Sequence, residues 1–140
     1  ILINLCGFLL YALYMYGLSL VGEKFKNPAF SVSAWLLIGL NAVGLVVAFA
    51  LPDSFLIPPQ WGLIAVTLGG LFEIFIGYAA LRLISKVGLA AGAYGALAIA
   101  AGLGNVVGFN IVGFDGWIMD AMEASLFLLG AIMLWRASAR

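Results

Sequence analysis

The sequence contains no histidine and a single cysteine, Cys6, among its 140 residues. A Cys/His zinc site, a His-ligated haem and a Ser-His-Asp triad built within the chain are excluded on that ground. An internal disulfide is excluded as well. Charge is scarce: nine per cent of the residues are Asp, Glu, Lys or Arg, against about a quarter in a soluble domain. Six acids balance six bases, so no basic face exists and no nucleic-acid partner is expected. No phosphate loop, dinucleotide fingerprint or nucleophile elbow is present. The Gly-x-Gly strings are Ala-rich and lie inside apolar runs, where glycine serves packing. Neither a cofactor nor an enzyme activity is expected.

What fills the chain instead is apolar. Sixty-six per cent of residues are hydrophobic and fourteen per cent aromatic, and the mean hydropathy is +1.21. A bilayer core of about 30 Å takes about 20 helical residues. Five stretches meet that length: Ile1–Gly22, Phe30–Leu51, Trp61–Leu81, Val87–Val107 and Trp117–Trp135. They are too long and too uniformly apolar for the strands of an outer-membrane barrel. The expected fold is all-α, a polytopic membrane bundle of five transmembrane helices in one domain over 1–140, with the lipid bilayer as its surroundings. The first stretch has no basic start and exceeds a signal-peptide core. Since the chain does not begin with Met, its start is expected to be processed or to lie within a longer protein.

The basic residues set an expected orientation. Lys24 and Lys26 fall in the first break, Arg82 and Lys86 in the third, Arg136 and Arg140 in the tail, and none in the second and fourth. By the positive-inside rule the N-terminus lies outside and the C-terminus in the cytoplasm, in a bacterial inner membrane. Trp61, Trp117 and Trp135 mark the interfaces, as an aromatic belt does. Pro52, Pro58-Pro59 and Asn27-Pro28 stop helices between spans.

Lipid offers no hydrophobic drive between helices, so small residues and polar contacts must hold such a bundle. Gly88, Gly92, Gly95 and Gly102 form a stripe on the fourth span, read as an intramolecular packing seam or as the wall of a conduit or oligomer seam. Asn4, Gly7, Tyr11 and Tyr14 recur at helical spacing on the first span. That face is expected to turn inward, for packing or as the lining of a pore. Asn41, between Gly39 and Gly44, needs a hydrogen-bond partner at its depth, either as glue to another helix or as a solute contact.

Glu73 is the most informative residue. Ten strongly apolar residues of its span favour insertion by about 3 to 6 kcal/mol in all. A mid-span carboxyl opposes it by about 3 kcal/mol. A helix with so little surplus is expected to turn Glu73 toward the bundle or a wet cavity, where it is either a functional group or a hydrogen-bond partner of another helix. Asp120 and Glu123 share a face one turn apart. With Asp115 they form either an acidic outer mouth or solvated acids near a helix N-terminus.

Several segments resemble the urea/amide channel family (AmiS/UreI). Tyr16-Gly17-Leu18-Ser19-Leu20-Val21-Gly22 is similar to the stretch that ends the first span there. Leu71-Phe72 with Tyr78-Ala79-Ala80, Tyr94 on the fourth span, and Asp120 ten residues before Gly130 are similar in spacing. A second set resembles acetate/succinate transporters of the SatP type: Asn27-Pro28-Ala29, Asn41-x-Val43-Gly44, Gly69-Gly70, Ile74-Phe75 and Gly77. Both resemblances imply hexameric rings of six-span protomers with a narrow pore through each. This chain has five spans and, lacking histidine, cannot use the His-based acid gating of the urea channels. The resulting expectation is a small channel or facilitator for a polar solute such as urea, an amide or a short carboxylate, with Tyr11, Tyr14, Asn41, Glu73 and Tyr94 along its path. The alternative is a non-catalytic accessory subunit of a larger respiratory, photosynthetic or monooxygenase-type membrane complex. The corresponding partners are copies of the chain itself or unrelated subunits.

Overall fold

The computed structural model describes residues 2–50, 59–108 and 116–139, with side chains for 5–50, 60–107 and 121–139. These residues form six helices and no strand: α1 Leu2–Lys24, α2 Pro28–Ala50, α3 Pro59–Leu81, α4 Ile84–Val87, α5 Leu89–Gly108 and α6 Gly116–Ser138. Five are long and apolar enough to cross a membrane. The protein is an all-α membrane bundle.

The helix ends follow local chemistry. Pro28 and Pro59 open α2 and α3, where a missing N–H costs nothing and the fixed φ suits the first turn. Asn27 caps α2, its Oδ1 accepting from Phe30 N at 3.2 Å. Lys26 takes a left-handed φ of 54° and closes α1, as a residue just past a helix end commonly does. The third break, which holds Arg82 and Lys86, contains the helical turn α4. Gly88 at φ 92° separates α4 from α5, a conformation other residues adopt only with strain.

Each long helix packs against its neighbours in the order α1, α2, α3, α5, α6, and α6 returns to α1, so the five form a closed ring. The closest seam joins α3 to α5. A Cβ built on Gly77 would stand 2.7 Å from the Gly95 carbonyl oxygen, and one on Gly70 would stand 2.7 Å from that of Gly102. The seven-residue spacing on both helices lets two backbone contacts form in antiparallel register, which is how small residues hold helices together in lipid.

The two ends of the ring differ. At the end that carries Lys24, Arg82, Lys86 and Arg136, the interior is solid: Leu18, Phe30, Ile76, Leu83, Val87 and Met133 are fully buried. Ala34, Ala79, Ala80, Ala90 and Ala91 let the backbones close around them. Polar ties lock this end. Asn27 Nδ2 donates to Ala79 O at 2.8 Å, Lys24 Nζ to Ala137 O at 2.7 Å and Lys86 Nζ to Phe25 O at 2.7 Å. Both lysines thus place a cation where a helix C-terminus exposes carbonyls. Toward the other end the described helices enclose space: a Cβ on Gly7, Gly44 or Gly62, which line the interior, would meet no described atom within 4 Å.

Candidate functional site

Where the ring opens, its interior holds a cavity of about 1370 Å³, lined by all five long helices. Gly7, Val47, Trp61 and Glu123 stand toward the mouth, and Met15, Leu37, Ile76 and Tyr94 form the floor. The floor is the upper surface of the solid core, since Met15, Leu37, Ile76 and Tyr94 are themselves buried. Among the described residues the result is a cup whose floor is sealed toward the basic end.

Glu73 lies in the wall of this cup. It follows Trp61 by twelve residues, about 18 Å along the helix at about 1.5 Å per residue, which is mid-depth in a bilayer. Its Oε2 accepts from Asn105 Nδ2 of α5 at 2.9 Å. The carboxyl therefore lines the cavity and is at the same time a hydrogen-bond partner of another helix. Asn105 is the residue sequence reasoning missed. The available signal was a lone amide on an apolar span, of the kind that singled out Asn41. Glu123 lines the cup from α6 and interacts electrostatically with Glu73. The side chain of its companion Asp120 lies outside the described residues, as do Asp115 and the side chains of Asn4 and Trp117.

The tyrosines converge. Tyr11 and Tyr14 line the cup from α1 and Tyr94 from α5. The Tyr14 hydroxyl donates to Leu126 O of α6 at 2.9 Å and packs directly over Gly130, where a Cβ would overlap it. Tyr94, 2 % exposed, turns its hydroxyl to Tyr14. Phe127 completes an aromatic wall, its ring centroid 4.7 Å from that of Tyr14 and 6.3 Å from that of Tyr11.

Two expectations require correction. Asn41 is not glue between helices: its Nδ2 donates to Leu37 O of its own helix at 3.0 Å, and the residue lines the cup. The glycines of the fourth span are not one seam. Gly95 and Gly102 face α3, Gly92 faces the Ile84 side chain, and Gly88 is the break before α5. Gly69 lines the cup, whereas Gly70 and Gly77 are filled by α5.

No protein-family model, curated protein or solved structure matches the chain. The functional reading therefore rests on the cup.

Proposed function

We propose that the protein is a small membrane channel or facilitator that admits a solute with a hydrogen-bonding head into the cup. The observation that carries this reading is Glu73. A mid-membrane carboxyl is expensive against lipid and marks solute paths, and here it faces the cavity with one oxygen fixed by Asn105. Tyr11 and Asn41 in the wall offer further polar groups. The sealed basic end makes this conformation one with access from a single side, so passage requires the floor around Met15, Leu37, Ile76 and Tyr94 to part. With the basic end cytoplasmic, the cup faces outward. Urea and amides suit the hydrogen-bonding set, as the resemblance to urea/amide channels implies. A short carboxylate suits it less, because Glu73 and Glu123 share the cavity.

Flux into liposomes containing the purified protein tests the reading. Permeation of urea or acetamide should exceed that of empty liposomes and fall at least tenfold in Glu73→Leu. Unchanged permeation of every solute tried in that variant removes Glu73 from the path.

One feature favours the accessory-subunit alternative. Gly44 and Gly62 line the cup with no described atom near the place of a Cβ, as they would if a partner's helix filled it. Mild detergent extraction separates the two readings: a particle of this chain alone supports the facilitator, whereas unrelated subunits in fixed ratio support the alternative.

A further inference from the structure

From the chemistry of the cup we infer that its preferred occupant is an amphipathic organic cation, an ammonium or guanidinium head on an apolar or aromatic body. This rests on the facilitator reading and assigns the cup a larger, positively charged solute in place of urea or an amide.

Three independent features converge. The first is size. Pockets that enclose drug-sized ligands run to about 300–1,000 Å³, and the cup holds about 1370 Å³, far more than a urea-sized solute needs to be selected by fit. The second is charge. Glu73 and Glu123 both line the cup, and none of its described lining residues is Lys or Arg. The described side chains of Lys24, Lys26, Arg82, Lys86 and Arg136 all belong to the sealed end. The third is the wall. Tyr11 meets Phe127 in a T-shaped contact and Tyr14 meets it at a tilt; all three rings line the cup, and aromatic rings are the groups that recognise quaternary ammonium. A cation seated between this wall and Glu73 satisfies the carboxylate and the rings together, while the aliphatic sides from Leu40, Val66 and Ala98 take its body.

Equilibrium dialysis of labelled benzyltrimethylammonium against the purified protein in lipid nanodiscs tests this. Saturable binding is expected, with benzyl alcohol and benzenesulfonate, similar in size but neutral and anionic, at least tenfold weaker as competitors. Glu73→Gln should weaken binding at least tenfold. Gly69→Leu should abolish it by occupancy alone, because a Cβ there meets only Leu40 Cδ2 at 3.7 Å and the longer side chain must enter the cup. Should either variant fail to fold, the competition series on the unaltered protein decides by itself. Absence of saturable binding, equal competition by the alcohol or the sulfonate, or a folded Glu73→Gln that binds normally overturns the inference. Urea or acetamide flux measured in parallel keeps the two claims apart. Glu73-dependent flux without cation binding overturns the cation alone, whereas neither binding nor flux removes the facilitator as well.

Discussion

At the scale of single residues, Asn105 and Tyr14 carry the most consequence. Interhelical hydrogen bonds inside membranes contribute on average about 0.6 kcal/mol and at most about 1.7. Losing Asn105 Nδ2–H from the Glu73 carboxylate should therefore change stability little and position more. Asn105→Leu is expected to leave thermal unfolding in detergent within a few degrees of the unaltered protein while lowering solute flux at least fivefold. A matched fall in both would make Asn105 merely structural. Gly130 behaves differently, because its missing side chain makes room for the Tyr14 hydroxyl. Gly130→Ala should destabilise by about 1–3 kcal/mol, the cost of overpacking. Adding Tyr14→Phe should recover part of that loss, a non-additivity that neighbours in contact show. Additive losses would mean that the two side chains do not meet.

Among the helices, the α3–α5 seam is the firmest contact. Gly70, Gly77, Gly95 and Gly102 face backbone across it, whereas Gly39 and Gly44 face nothing. Gly77→Ala or Gly95→Ala should force the helices apart and lower the melting temperature by several degrees. Gly39→Ala and Gly44→Ala should be neutral or slightly stabilising, since alanine is the better helix former. The seam was only half legible beforehand. Stripe-reading along one helix joined Gly88 and Gly92 to Gly95 and Gly102. It is the partner's register, Gly70 and Gly77 seven residues apart, that selects the latter two. The five long helices themselves were legible because apolar length dictates them. α4 was not, because four residues carry no periodic signal. Glu73 and Asn41 stood out as polar groups on apolar helices. Asn105 carries that signal too, but only the α3–α5 register shows that it meets Glu73.

For the molecule as a whole, the asymmetry between a solid basic end and the cup on its other side organises everything else. Alanines, Asn27 and two lysine ties seal one end, while toward the other Gly7, Gly44 and Gly62 face the cup with no described neighbour. This asymmetry was not visible in the sequence, since glycine spells both close contact and empty space. It closes Glu73 off from the basic side. Labelling by a membrane-impermeant maleimide tests that most directly, using Gly69→Cys on a Cys6→Ser background in oriented proteoliposomes. Position 69 lines the cup one turn above Glu73, and Leu128, 65 % exposed on the outer surface of α6, serves as the lipid-facing control in Leu128→Cys. Rapid labelling at 69 from the side opposite the basic end, with none from the basic side and none at 128, is the predicted result. Protection at 69 equal to that at 128 would mean a dry, lipid-filled groove and would contradict a solute cup at Glu73.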